Sequence, residues 1–165
     1  AFYYARELSF YSRWDDAIEA LERYLAMPEA TWNDERCYAM RVMSKCYDNL
    51  NQPWNAERWL YKAAAEAPNT REPWVALAQL YYKSGRWPDC YAAATRALSI
   101  NNRELVYTAD PDSWGYLPHD LAAISAWRIG LKDIALQQGQ IAADMSPEDD
   151  RLKDNLLWYK GEKDE

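Results

Sequence analysis

Two helical patterns joined by a glycine turn, within residues 72–100, constrain the fold of this chain more than any other stretch. Apolar and small residues recur at spacings i, i+3, i+4 and i+7 on both sides of Gly85, which predicts two amphipathic helices. Gly85 lies where a helix end favours a left-handed backbone, and Pro88 lies in a first turn that needs no amide donor. Small residues such as Ala78 and Cys90 let two helix axes approach to about 8–10 Å. The stretch therefore predicts a closely packed helix pair.

This helix pair resembles one tetratricopeptide repeat, whose motif runs Trp, Leu-Gly, Tyr, Ala, Phe, Ala and Pro. Ala78 stands at the Gly position of the motif and Ala94 at its Phe position. The 34-residue period of such repeats recurs upstream, where Tyr47, Ala56 and Ala63 precede Tyr81, Cys90 and Ala97 by that interval. The resemblance implies a right-handed α-solenoid.

Four repeats and a final helix follow from this period. We expect the repeats at about 1–30, 36–69, 70–103 and 113–147, and a capping helix at about 148–160, all in one domain of residues 1–165. The interval between equivalent small residues is 39 from Ala17 to Ala56 and 45 from Cys90 to Ala135, so the second and fourth repeats follow insertions. Ser146 is the predicted N-cap of the last helix. The expected fold is all-α.

Composition excludes several classes of function. A net charge of −7 and a pI near 4.8 argue against a nucleic-acid or anionic-membrane surface, because both need basic residues. Three cysteines without disulfide spacing indicate a reducing compartment, and no apolar run approaches the roughly 20 residues of a membrane span. No signal peptide is visible, so we expect a cytoplasmic protein. The sequence starts inside a helical pattern without Met, which we interpret as a fragment of a longer protein.

The cysteines do not predict a metal site. Cys37, Cys46 and Cys90 lack the close pairs that zinc requires, and we expect them in the core. His119 and Asp120 are neighbours, but adjacent residues on a helix point in different directions, and no Gly-flanked serine nucleophile accompanies them. We therefore assign these residues structural roles.

Asp110-Pro-Asp112 matches the Asp-x-Asp element of many sugar transferases. That element needs a nucleotide-binding β-sheet around it, whereas the pattern of this sequence predicts no β-strand. A turn and an N-cap are the better interpretation. No Gly-rich phosphate loop is present. We predict no catalytic residue, no cofactor and no metal.

The tetratricopeptide resemblance implies a concave groove lined by the first helix of each repeat. Five basic and three acidic side chains fall there, although the chain as a whole is acidic. The residues on that side are Tyr3, Arg6, Phe10, Tyr38, Arg41, Lys45, Asp48, Glu72, Gln79, Tyr82, Lys83, Leu117, Asp120, Ile124, Trp127 and Arg128. The predicted binding residues among them are Tyr3, Arg6, Tyr38, Arg41, Lys45, Gln79, Tyr82, Lys83, Trp127 and Arg128.

Basic residues interleaved with aromatic ones can bind an acidic or aromatic peptide, helix or neighbouring domain. The alternative is that the cations keep an exposed face soluble while the aromatic residues pack between repeats. The carboxylate clamp of chaperone-binding tetratricopeptide domains is not expected, because Ala76 replaces its second Asn and Leu121 its last basic residue.

A closer resemblance rests on four strings in order: YYARELSFYSRWDDAIEALERYL, REPWVALAQLYYKSGRW, DPDSWGYLPHDLAAISAWRIGL and SPEDDRLKDNLLWY. They resemble the tetratricopeptide region that follows the catalytic domain in bacterial and phage family-2 glycosyltransferases. Its most specific parts are Trp-Gly-x-Leu-Pro-x-Asp at 114–120 and Asp-Asp-Arg-Leu…Asn at 149–155. The resemblance implies an attached nucleotide-sugar-binding domain that lies outside this sequence. No catalytic residue of that domain can therefore be assigned to this sequence.

Three functions remain open, none of them enzymatic. The first is a scaffold that binds a peptide or a neighbouring domain in the groove. The second is an accessory module of a glycosyltransferase, in which aromatic residues such as Trp127 stack on an acceptor sugar. The third is a self-association module, in which exposed residues such as Trp32 or Trp54 pack across a two-fold interface to form a homodimer. Whether the 103–113 insertion covers the groove is also open.

Overall fold

The computed structural model describes residues 1–104 and 106–162. This part of the chain contains nine α-helices and no β-strand, as the sequence predicts. The helices are α1 (Phe2–Phe10), α2 (Trp14–Leu25), α3 (Asn33–Asn49), α4 (Pro53–Glu66), α5 (Glu72–Lys83), α6 (Trp87–Leu98), α7 (Leu117–Arg128), α8 (Lys132–Met145) and α9 (Asp150–Tyr159), and a short 3-10 helix spans Pro111–Trp114. In this same part of the chain, no helix combines the length and the apolar character needed to cross a membrane.

The chain divides into two compact units, Ala1–Pro73 and a second that begins at Trp74. In the first unit α1 packs on α2, α2 on α3, and α3 on α4. In the second unit α6 packs on α7, α7 on α8, and α8 on α9. In repeat proteins, each helix packs mainly against the helices next to it in the sequence, as seen here. The prediction of a single domain stays a prediction.

The turn inside each helix pair has the same backbone geometry. One residue has a positive φ at each turn: Ser12 (58°), Asn51 (56°), Gly85 (68°) and Gly130 (85°). The next amide donates to the carbonyl five residues back: Arg13 to Leu8, Gln52 to Tyr47, Arg86 to Tyr81, and Leu131 to Ala126, at 2.8–3.0 Å. This is the Schellman motif of helix C-termini, so the left-handed backbone predicted for Gly85 is confirmed.

The four turns follow one another at intervals of 39, 34 and 45 residues, which are the intervals between the predicted small core residues. Those residues are fully buried: Ala17, Ala56, Cys90 and Ala135. Each lies one turn into the second helix of its pair. A larger side chain would not fit there, because the two helices approach closely. The small-residue pattern thus sets the register of the helix pairs.

Arg36 holds the first insertion in place. Its Nε donates to Oε1 of Glu66 at 2.7 Å, and its Nη1 donates to the carbonyls of Leu25 and Ala30 at 3.0 and 3.2 Å. The segment between α2 and α3 is therefore fastened to α4 by one guanidinium. The charge of this partly buried cation is paired with a carboxylate, and its N–H groups donate to carbonyl oxygens, so both requirements of a desolvated guanidinium are met.

The second insertion is organised by Asp110. Its side chain caps the 3-10 helix by accepting from the amide of Asp112 at 3.1 Å and from Oγ of Ser113 at 3.2 Å. The turn and capping role predicted for the Asp-Pro-Asp string is therefore confirmed. Leu105, within this insertion, lies outside the described residues.

The N-cap of the last helix was predicted at the wrong residue. Asp149 caps α9, where Oδ1 accepts from the amide of Arg151 at 2.9 Å. Ser146 is instead the C-cap of α8, and its Oγ donates to Glu148 at 3.0 Å. The physical reason is that α8 continues to Met145, so four residues, 146–149, connect it to the first residue of α9, and the last of them is the N-cap.

Candidate binding surfaces of the two units

The predicted groove residues lie on two units, and each unit presents its own face. On the first unit they lie on α1 and α3, and we call them the α1–α3 face: Tyr3, Arg6, Phe10, Tyr38, Arg41 and Lys45. On the second unit they lie on α5 and α7, and we call them the α5–α7 face: Gln79, Tyr82, Lys83, Trp127 and Arg128.

Guanidinium groups stack on aromatic rings in the α1–α3 face. Cζ of Arg6 lies 5.1 Å from the ring centroid of Tyr3 and 5.7 Å from that of Phe10. Cζ of Arg41 lies 4.9 Å from the ring centroid of Tyr38. These are cation–π distances, and the stacking orients cations that would otherwise sample many rotamers.

Phe2 connects the two halves of this face. Its buried ring lies 5.4 Å from the ring of Tyr38 in an edge-on arrangement, so α1 and α3 are held side by side. Lys45 lies exposed one turn beyond Arg41. Tyr38, Arg41 and Lys45 have helical spacing and form one row along α3. The structure therefore stacks the arginine of each helix on aromatic residues of the same helix, and Phe2 joins the two helices.

The α5–α7 face is organised around Trp87, which sequence reasoning missed. The ring of Tyr82 lies 5.7 Å from the ring of Trp87 at an interplanar angle of 74°. Cζ of Arg128 lies 5.4 Å from the same ring. Trp87 therefore links α5 to α7. Its position as the first residue of α6, immediately after the turn at Gly85, was the available signal.

Trp127 is less available than predicted. It is half-buried, because its ring lies 5.6 Å from that of Tyr159 on α9 and Nζ of Lys132 lies 5.5 Å from its centroid. Gln79 and Lys83 lie exposed on α5. Among the predicted residues of this unit, Tyr82 and Arg128 both contact the ring of Trp87.

Two acidic residues expected in the groove are buried instead. Glu72 and Asp120 were both predicted to face it, and they are 5% and 8% exposed. Oδ2 of Asp120 lies 2.9 Å from Nη1 of Arg151 on α9, and Asn155 also hydrogen-bonds to it. Burial raises the pKa of Asp120, and the ion pair with Arg151 opposes that rise. The prediction for Asp120 was wrong because α9 covers this position.

This ion pair joins the two most specific strings of the glycosyltransferase resemblance. Asp120 ends the string at 114–120, and Arg151 and Asn155 belong to the string at 149–155. Their side chains fasten α7 to the last helix. The two strings therefore have a structural role in closing the second unit.

Residues that could have supported catalysis have structural contacts. Cys37, Cys46 and Cys90 are free, buried thiols, and burial raises the pKa of each to about 11. Nδ1 of His119 lies 2.7 Å from Oε1 of Gln138, a contact between α7 and α8. Within residues 1–104 and 106–162, no cluster of three His, Cys, Asp or Glu side chains could hold a metal ion.

No protein-family model matches the sequence, and no curated protein is significantly similar to it. Two solved structures described as crystal structures of MamA match with TM-scores of 0.72 and 0.71 at 17% identity. Each covers 96% of this chain, and the match spans 85% and 79% of the respective MamA chains. PilF from Pseudomonas aeruginosa matches with a TM-score of 0.65 at 15% identity over 97% of this chain and 64% of its own. Because MamA and PilF contain tetratricopeptide repeats, the chain has a tetratricopeptide-like α-solenoid fold, as its repeat pattern predicts.

Proposed function

We propose that the chain is a non-catalytic interaction scaffold that binds an acidic, partly apolar protein segment on the α1–α3 face. The observation that carries the proposal is the row Tyr38, Arg41 and Lys45 on α3, with Arg6 stacked beside it on α1. The tetratricopeptide-like fold supports the proposal, because solenoids of this kind offer extended binding surfaces.

The chemistry of the row selects the ligand. A guanidinium can stack on a ring through its flat side, while the N–H groups in its plane are of the kind that recognises carboxylates. Exposed aromatic rings such as Phe10 offer rigid apolar contact beside the charges. The ligand is therefore a segment in which Asp or Glu alternates with aromatic or aliphatic residues. Attraction of such a ligand does not follow from net charge, because the chain carries −7.

The test uses a defined acidic and aromatic probe, a fluorescently labelled random copolymer of Glu and Tyr. We expect binding to the wild-type chain that weakens as salt is added, and at least about ten-fold weaker binding to an Arg41→Glu/Lys45→Glu variant. Two charge reversals one helical turn apart replace attraction by repulsion. Lys45 is exposed and Arg41 is half-buried, so circular dichroism is used to show that the variant is folded.

The matched control is Arg58→Glu/Lys62→Glu on α4, which has the same spacing and the same change of charge. We expect the control to bind the probe like the wild type. Equal loss of binding in both variants would show that only net charge matters and would refute the assignment to the α1–α3 face. A pull-down from native lysate with the same three proteins then identifies the natural partner.

The resemblance to the region that follows glycosyltransferase catalytic domains supports a second, narrower proposal. In it the partner is an attached catalytic domain, and the scaffold positions acceptor. The contacts of Trp127 with Tyr159 and Lys132 cover part of its ring, so only the remainder could stack on a sugar. Calorimetric titration with monosaccharides and oligosaccharides decides it, since a sugar-binding isotherm is expected only for the accessory role.

A further inference from the structure

The second helix of every pair has an exposed outer side. We number positions from the small buried residue of each second helix, which is Ala17 in α2, Ala56 in α4, Cys90 in α6 and Ala135 in α8. Positions two residues before it, two after it and five after it lie on the opposite side of the helix. The residues at these three positions are exposed in all four helices. Because this holds for helices in the middle of the chain as well, the exposure is a property of the fold.

The outer side of α4 is aromatic, whereas the equivalent sides carry no aromatic residue. Trp54 and Tyr61 occupy the first and the last of the three positions in α4, and they are 70% and 47% exposed. The residues at the same two positions of the other helices are Asp15 and Glu22 in α2, Pro88 and Thr95 in α6, and Asp133 and Gln140 in α8. Two large rings two turns apart on one side of a helix leave apolar surface in contact with water, which indicates an interaction site.

Two cations accompany these rings. Arg58 occupies the middle position of α4, and Lys62 follows it by one helical turn. Both side chains are exposed, and Nζ of Lys62 lies 3.9 Å from the ring centroid of Trp59. We call Trp54, Arg58, Tyr61 and Lys62 the α4 outer face. It carries two positive charges on a chain whose net charge is −7.

The outer side of α2 has the opposite charge. Asp15, Glu19 and Glu22 occupy its three positions, and we call them the α2 outer face. Oε1 of Glu19 lies 3.2 Å from Nη1 of Arg23, and both side chains are exposed. An exposed pair of this kind contributes little to stability, so Glu19 can exchange Arg23 for another cation at small cost.

Helices α2 and α4 lie side by side in the first unit, because both pack on α3. Arg36 on α3 contacts the last residue of each, namely the carbonyl of Leu25 at 3.0 Å and the carboxylate of Glu66 at 2.7 Å. The ring of Trp59 on α4 also packs against the core cluster that contains Tyr24 of α2. The acidic and the basic outer faces are therefore adjacent on one side of the unit.

We propose that a second copy of this chain docks on this side, with the α2 outer face of each copy on the α4 outer face of the other. A two-fold axis that runs along the helices produces this arrangement and forms both contacts at once. In each contact three carboxylates face two cations, and the rings of Trp54 and Tyr61 are removed from water. The occupant is a second copy because the two complementary faces are neighbours in one unit, as a self-complementary surface requires.

Sedimentation velocity over a wide concentration range tests the contact. The wild type is expected to form dimers, and Trp54→Ser/Tyr61→Ser to dimerise at least about ten-fold more weakly, because its rings no longer leave water on association. Tyr11→Ser/Trp32→Ser is the matched control, since it also removes one exposed tyrosine and one exposed tryptophan, and it is expected to dimerise like the wild type. Circular dichroism shows that each variant is folded.

Charge exchange between the two outer faces tests the pairing. Glu19→Lys/Glu22→Lys and Arg58→Glu/Lys62→Glu each place like charges across both contacts, so each variant is expected to dimerise at least about ten-fold more weakly. An equimolar mixture of the two variants is expected to form heterodimers, because opposite charges then meet at both contacts. The chain with all four changes keeps the net charge of −7 and is expected to regain the dimer.

A wild type that stays monomeric at every concentration overturns the proposal. So does a dimer that survives the aromatic changes, or one lost equally with Tyr11→Ser/Trp32→Ser. A stronger dimer of Glu19→Lys/Glu22→Lys would show that net charge alone is responsible, and a mixture that stays monomeric would exclude the pairing of α2 with α4. The result is independent of the proposed function, since Arg41→Glu/Lys45→Glu lies on α3 outside both outer faces and is expected to dimerise like the wild type.

Discussion

One residue at each turn between paired helices has a positive φ, a left-handed backbone conformation that is unfavourable for residues with a Cβ. Gly85 has a φ of +68°, and a Cβ added there would meet nothing within 4 Å. Any cost of a side chain at this position is therefore conformational rather than steric with its surroundings. Ser12 and Asn51 tolerate the same conformation in the first two turns, where Asn is the better suited of the two.

We expect Gly85→Ala to lower the free energy of unfolding by about 1–2 kcal/mol, because an L-residue with a Cβ is strained in the left-handed region. Gly85→Asn should cost less, since Asn visits that region more readily. Urea unfolding of the two variants beside the wild type measures the difference. Equal losses for Ala and Asn would show that the backbone conformation is not the cause.

The Cys90 thiol links stability to alkaline pH. Burial raises its pKa to about 11 from an ordinary value near 9. A raised folded pKa favours the neutral thiol, so the stabilisation is complete below pH 9 and is lost as pH rises through 11. Cys90→Ala should be tolerated near pH 7, because the equivalent residues of the other helix pairs are Ala17, Ala56 and Ala135.

We therefore expect the unfolding free energy of Cys90→Ala to fall less than that of the wild type between about pH 9 and 11, by roughly 2 kcal/mol. Chemical denaturation at several pH values checks this. Burial raises the pKa of Cys37 and Cys46 to about 11 as well, but these two thiols are common to both proteins and cancel in the comparison. Parallel pH curves would contradict the assignment.

At the scale of elements, α9 packs closely on α8 because Gly139 of α8 has no side chain. A Cβ on Gly139 would lie 2.5 and 2.7 Å from two ring carbons of Tyr159, which is closer than atoms can approach. We expect Gly139→Ala to destabilise the second unit by about 1–3 kcal/mol, because the ring must move and α9 with it.

Hydrogen exchange of the α8 and α9 amides is the suitable measurement, since the effect should concentrate there. A second change, Tyr159→Leu, shortens the opposing side chain and should recover part of the loss in the double variant. If the double variant loses as much as the sum of the two single changes, the steric explanation is wrong.

The ion pair of Asp120 with Arg151 fastens α7 to α9. Arg151→Ala leaves a buried carboxylate unpaired, and we expect a loss of about 1–2 kcal/mol near pH 7, discounted because Arg151 is half exposed. The pKa of Asp120 is already raised by burial and rises further without its partner. A carboxyl group with a raised folded pKa contributes stability when protonated and loses it as pH rises.

The difference between the wild type and Arg151→Ala should therefore shrink as pH falls and Asp120 becomes protonated, because burial raises the pKa of this carboxyl group. Urea unfolding at neutral and acid pH compares the two. Lys153→Ala removes an exposed cation from the same helix and should show no such pH dependence, since its partner Asp150 is exposed. A difference for Arg151→Ala that is constant with pH would exclude Asp120 as the responsible group.

At the scale of the whole molecule, charge and exposed apolar surface are distributed unevenly. The net charge is −7, yet the α1–α3 face concentrates basic residues stacked on aromatic rings.

The sequence by itself determined the elements and their register. Helix periodicity, the turn glycines and the buried Ala17, Ala56, Cys90 and Ala135 are local signals, because each depends on residues within a few turns of chain. The positions of insertions followed from the same spacing. The basic row of α3 was also predictable, since Arg41 and Lys45 lie on the side of the helix opposite the core positions.

Tertiary structure alone decided the contacts between elements. The partner of Asp120, the link through Trp87 and the half-burial of Trp127 join residues from different helices, and no local pattern encodes such pairs. Periodicity fixes which side of a helix is apolar, whereas packing decides which neighbour, if any, removes that side from water.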